Sequence, residues 1–125
     1  MRLNLFFKGA YGHIVEPYWI WITLFILFVI SFLSLLPMDE LPEVAGSDKL
    51  HHFVAYAGLF FFVALRKPTY WWALMLVFIV WGGMIELIQP YVNRYAEWLD
   101  FWVNTLGILF GTLVGFWCKK TLSLA

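Results

Sequence analysis

The sequence predicts an all-α membrane protein: an antiparallel four-helix transmembrane bundle with both termini cytoplasmic. Three observations lead there. The chain is 63% hydrophobic and only 13% charged, where soluble domains run near 45–50% apolar and about 25% charged. Its apolar residues gather into four runs, each near the length that a spanning helix needs. Six of its eight Lys and Arg residues fall on one side of those runs, the asymmetry that marks a cytoplasmic face. A formal charge of zero argues against nucleic acid as a partner, and the single Cys118 excludes an internal disulfide or a cysteine metal cluster. With no internal repeat and no low-complexity linker, the chain reads as one membrane domain.

Residues 1–17 form a cytoplasmic or interfacial leader in which Arg2 and Lys8 stand among Leu3, Leu5, Phe6 and Phe7, a mixture suited to the membrane interface. Residues 18–36 are an unbroken apolar run of the ~20 residues required to span. That exceeds the roughly 7–15 residues of a signal-peptide core, so it is a retained first helix. Pro37 stops it, and the acidic loop Asp39-Glu40-Leu41-Pro42-Glu43 follows. Ser47 is an N-cap for a second helix over 48–65, and Asp48 suits its positive end. Arg66-Lys67-Pro68 closes that helix. A third helix covers 70–89 and stops at Pro90; a fourth covers 98–118 and reaches Lys119-Lys120. The four helices make up a transmembrane domain over 18–118, and residues 119–125 are a cytoplasmic tail. Links at 66–69 and 90–97 are too short for anything but antiparallel neighbours.

Arg2, Lys8, Arg66, Lys67, Lys119 and Lys120 share one side, and Lys49 and Arg94 share the other with most of the acidic residues. The first side is therefore inside. Trp19, Trp21, Tyr70, Trp71, Trp72 and Trp117 supply an inner aromatic belt, and Tyr91, Tyr95, Trp98 and Trp102 an outer one.

This topology brings three separated polar groups to one level under the outer surface: Asp48, Lys49, His51 and His52; Glu86 and Gln89; Asp100 and Asn104. Spacings of three or four residues put Asp48, His52 and Tyr56 on one helix face, as they do Glu86 with Gln89 and Asp100 with Asn104. A charged residue costs roughly 2.5–3.5 kcal/mol at the bilayer centre, so polar groups confined to one layer mark a site. Bland roles compete: a helix cap for Ser47-Asp48, an interfacial charge for Lys49, a structural pair for Glu86 and Arg94. The Asp100 stripe continues as Gly107, Gly111 and Gly115, spacing that lets helix backbones approach closely.

Three segments together resemble the pattern of VanZ-like bacterial membrane proteins. They are Ser47-Asp48-Lys49-Leu50-His51-His52-Phe53, then Gly83-Met84-Ile85-Glu86-Leu87-Ile88-Gln89, then Arg94 with Asp100 through Asn104 to Gly107 and Gly111. The match covers roughly residues 45–115. The resemblance implies a small multi-pass protein of the bacterial plasma membrane and makes Asp48, Lys49, His52, Glu86, Gln89, Arg94, Asp100 and Asn104 its motif positions. The family's namesake is linked to low-level resistance to the glycopeptide teicoplanin.

The leading expectation is a non-enzymatic site that binds or remodels an amphipathic or lipid-linked envelope molecule. Arg94 and Lys49 would contact phosphate or carboxylate, and Glu86, Gln89, Asp100 and Asn104 would bond sugar or amide groups. Membrane lipids are the other expected partners. The alternatives are a membrane enzyme with His52 as base and Glu86 or Asp100 as orienting acid, or a proton-coupled transporter relaying through Glu86, which at this length implies a homo-oligomer. No nucleophile elbow or zinc motif is present, and no cofactor or metal is expected.

Overall fold

The computed structural model describes residues 1–41 and 45–124 and is helical throughout, with no strand among the described residues. In chain order come α1 (Arg2–Ala10), a π-helical turn (Tyr11–Val15), α2 (Glu16–Leu35), a 3-10 turn (Met38–Glu40), α3 (Asp48–Arg66), α4 (Trp71–Ile88), a second 3-10 turn (Gln89–Val92) and α5 (Trp98–Thr121). Pro42 and Glu43 of the expected acidic loop lie outside the described residues.

The first helix departs from expectation. It starts at Arg2 and not near residue 18, and it continues through the π-helical turn to Leu35 over 34 residues. At 1.5 Å per residue that is about 51 Å, well beyond a hydrocarbon core of ~30 Å. Pro17 suggests a break because it has no N–H and its ring clashes with the carbonyl four residues back. The wider turn at Tyr11–Val15 changes the bonding register just ahead of it, which leaves Pro17 in the first turn of α2, where it is tolerated.

The other boundaries agree with the sequence within a residue, except that α5 runs three residues past the expected 118, to Thr121. The Ser47 hydroxyl accepts a hydrogen bond from Leu50 N at 3.1 Å, the N-cap expected of it. Lys67 closes α3 in the left-handed region with φ of 52°, and Pro68 follows. The third helix ends one residue early because Pro90 tightens the last turn, drawing Gln89 into the 3-10 segment.

Polarity is distributed inside out. Glu86, Gln89, Asp100, Asn104, Ser34, Thr23 and Thr112 are buried, while Trp21, Phe25, Phe28, Val80, Leu113 and Trp117 are more than half exposed. Hydroxyls within the apolar helices are satisfied on the carbonyl four residues back: Thr23 on Trp19, Ser31 on Leu27, Thr112 on Ile108. A broad apolar exterior with polar groups held inside is what a hydrocarbon solvent demands. Among the described residues, three helices are long and apolar enough to cross a membrane, Arg2–Leu35, Trp71–Val92 and Trp98–Thr121.

The expected second span, α3, is not among them, because Asp48, Lys49, His51 and His52 crowd its first two turns. It is also the central helix, with Tyr56, Leu59, Phe60, Val63, Ala64 and Leu65 buried and contacts to α2, α4 and above all α5. The glycine stripe explains the last contact. A Cβ on Gly107 would lie 2.5 Å from the Phe53 carbonyl oxygen, one on Gly111 would collide with the Ala57 carbonyl, and one on Gly115 would lie 2.9 Å from the Phe61 carbonyl. Phe53, Ala57 and Phe61 rise together with Gly107, Gly111 and Gly115, so α3 and α5 run in the same direction at backbone contact.

Gly111→Leu should therefore destabilise the protein by about 1–3 kcal/mol through overpacking, seen as a lower unfolding midpoint in detergent. Gly58 lies in the same α3, yet a Cβ there meets nothing within 4 Å. Gly58→Ala should raise the midpoint, by roughly 0.5–1 kcal/mol of stability; a loss there would mean that another surface covers this face.

Candidate functional site

The α3–α5 register brings the start of α3 against the start of α5, and the end of α4 meets them there. The Lys49 ammonium lies against Asp100 Oδ1 and Glu97 Oε2. Asp100 is only 4% exposed, so Lys49 neutralises a carboxylate removed from water. One turn further on, His52 Nδ1 donates to Asn104 Oδ1 at 3.0 Å, since an amide oxygen only accepts. That bond aims the other ring nitrogen, Nε2, toward Asp48 Oδ2 at 3.7 Å and Asp100 Oδ2 at 3.8 Å.

Glu86, 1% exposed, serves the start of α5 in a different way. Its Oε2 accepts a hydrogen bond from Glu97 N at 3.1 Å, and Glu97 is the residue that opens α5. A carboxylate on these N–H groups meets the positive helix end. Glu86 Oε1, Gln89 Oε1 and the Tyr56 hydroxyl are buried with no hydrogen-bond partner among the described residues.

The expected Glu86–Arg94 pair is absent among the described residues. Arg94 turns to α2 instead, where its Nη1 donates to the carbonyls of Leu33 at 3.2 Å and Leu36 at 3.3 Å. Gln89 joins it by donating to the Ser34 carbonyl at 3.2 Å. The last carbonyls of a helix have no partner within it and form its negative end, so a guanidinium there is well placed. The backbone decides between the two options. Asn93 adopts φ of 57° and Arg94 N bonds Gln89 O at 3.1 Å, a hook from which the Arg94 side chain reaches α2, while Glu86 Oε2 accepts from Glu97 N.

Beside this network lies a cavity of about 610 Å³. Val29, Ile30, Leu33 and Ala55 supply apolar wall, and Asp48, His52, Tyr56 and Arg94 supply polar lining. No protein-family model, no curated protein and no solved structure matches the chain.

All eight sequence-picked residues thus lie at one end of the molecule, in three groups. Asp48, Lys49, His52, Asp100 and Asn104 form one network, Glu86 supports the start of α5, and Gln89 with Arg94 fastens the end of α2. Of the three candidate catalytic residues, His52 and Asp100 face each other, whereas Glu86 shares no hydrogen bond or ion pair with either among the described residues. Sequence reasoning missed Glu97 as a partner of Lys49. The signal was its position three residues before Asp100, on the same face of α5. Ser34 could not have been found, because only its carbonyl takes part.

Glu86 and Arg94 act on different partners, so Glu86→Gln and Arg94→Gln should add within about 0.5 kcal/mol in detergent unfolding. Lys49→Gln and Asp100→Asn should not add: the second change should cost less once the first is present, since neither charge is then stranded. Additivity in the Lys49 and Asp100 cycle would show that the two do not meet.

Proposed function

We propose that the chain is a multi-pass membrane protein of the VanZ-like type, an antiparallel four-helix bundle with both termini in the cytoplasm of a bacterial plasma membrane. Its polar end lies at the outer face and binds the head group of an amphipathic or lipid-linked envelope molecule. The observation that carries this reading is the cavity of about 610 Å³, a size usual for small-molecule sites. Its lining changes from Val29, Ile30 and Leu33 to Asp48, His52 and Arg94, so one molecule with an apolar and a polar part would satisfy both. A guanidinium carries five N–H donors, and Nη1 alone holds the α2 carbonyls, which leaves Arg94 donors suited to a phosphate or carboxylate. The cavity-lining helix α2 is also apolar along its exposed side, with Leu24, Phe25, Phe28 and Phe32, a route by which an acyl chain can stay in the bilayer.

The six-to-two split of basic residues supports the orientation. Reporter fusions after Lys67 and Lys120 should read cytoplasmic, and fusions near Glu43 and Asn93 external; an external C-terminus would reverse the side on which the site works. Native mass spectrometry of the purified protein should show a retained amphiphile. Ala55→Leu, which narrows the cavity, should lower its occupancy several-fold, and equal occupancy in that variant would place the molecule elsewhere.

A further inference from the structure

We propose that Asp48, His52 and Asp100 form a binding site for a divalent transition-metal ion, zinc or manganese, with open coordination positions toward the cavity. The sequence reading expects no metal; the three-dimensional arrangement argues for one. The three donor atoms, Asp48 Oδ2, His52 Nε2 and Asp100 Oδ2, lie within 4.8 Å of one another. His52 Nε2 is 3.7 Å and 3.8 Å from the two carboxylate oxygens. Ligands about 2.1 Å from a tetrahedral metal stand roughly 3.4 Å apart, so the two histidine–carboxylate gaps need a closure of a few tenths of an ångström and the gap between the two carboxylates, at up to 4.8 Å, a rotation of the exposed Asp48 side chain toward the others. Imidazole with carboxylates suits zinc and manganese better than magnesium or calcium, which prefer oxygen alone.

An independent observation points the same way. His52 is nine-tenths buried in its side chain, and Nε2 takes part in no hydrogen bond among the described residues. Because Nδ1 donates to Asn104, the Nε2 of a neutral ring presents its lone pair to two carboxylates. Three electron-rich atoms facing each other repel unless a proton or a metal cation lies between them, and a metal ion takes the place of that proton. The Asn104 bond is also the arrangement by which metal-binding histidines are commonly held, with the second nitrogen donating to a fixed acceptor. Charge agrees: Glu97 and Asp100 share the Lys49 ammonium while Asp48 faces the His52 ring, and a divalent ion cancels the excess of carboxylates. Lys49 occupies Asp100 Oδ1, which leaves Oδ2 as the ligand atom. Asp48 and His52 both line the cavity, so solvent or the anionic part of a guest can complete the coordination sphere.

The test uses the full chain in mild detergent, stripped with EDTA and then titrated separately with zinc and manganese chloride. Elemental analysis, and the electron paramagnetic resonance spectrum for manganese, should show one ion per chain with one of the two metals. Asp48→Asn and His52→Gln should each weaken binding tenfold or more, and Asn104→Ala about tenfold through loss of ring orientation. Asp39→Asn, an exposed acid outside the site, should bind as wild type does. Asp48 is 62% exposed in its side chain, so its variant folds even if the His52 variant does not. Absence of stoichiometric metal in the wild type, or unchanged affinity in Asp48→Asn, would overturn the site. Amphiphile retention by the EDTA-stripped protein is read separately: stripped protein that keeps its lipid but takes up neither metal sinks this inference and leaves the proposed function standing.

Discussion

The backbone contact between α3 and α5 is the constraint on which the rest depends. Gly107, Gly111 and Gly115 have no Cβ to hold the helices apart, and the carbonyls of Phe53, Ala57 and Phe61 occupy the space where those atoms would be. With the two helices parallel, their N-terminal turns fall side by side. Lys49 then reaches Glu97 and Asp100, and His52 reaches Asn104. Separating the helices by the width of a methyl group would lengthen every one of these links. In an apolar surrounding, close packing is also the main source of helix association, since burial against a neighbour gains little over burial in lipid.

Two parallel helix starts place two positive dipole ends together, and the acidic residues at this end answer them. Glu86 does so from outside α5, by accepting from Glu97 N. Asp48 lies in the first turn of α3 and Asp100 in that of α5. The opposite need arises at the end of α2, whose last carbonyls are unsatisfied, and there the donors come from the 89–94 segment: Gln89 on Ser34, Arg94 on Leu33 and Leu36. Each charged group in the layer therefore has a structural reason to be present. The cavity is built from the same residues, so support of helix ends and recognition of a guest are two uses of one layer.

The far end is fastened more simply. Lys119 donates to the Arg66 carbonyl at 3.1 Å, and Lys67 lies 4.6 Å from the Phe116 ring centre. These tie the ends of α3 and α5 without a buried carboxylate. The contrast between a basic, aromatic end and a polar end with buried acids runs along the whole length of the molecule.

Much of this was legible in the chain because membrane surroundings leave few options. Apolar runs of spanning length, the Pro and Gly punctuation and the Ser47 cap act locally, and they located the helices to within three residues from Asp48 onward. Spacings of three and four residues likewise picked out Asp48, His52, Asp100 and Asn104 before any contact was known. The mixed composition of residues 1–17 hid the start of the first helix at Arg2, because a π-helical turn accommodates Pro17 and no residue type announces one. Tertiary structure alone decided which partner each polar group took. Arg94 is close to Glu86 along the chain, yet the left-handed turn at Asn93 directs it to α2, and Glu97 takes the place beside Glu86. Pairing across helices depends on register, set by glycine contacts between segments some fifty residues apart in the sequence, and on where a loop turns, set here by the left-handed Asn93.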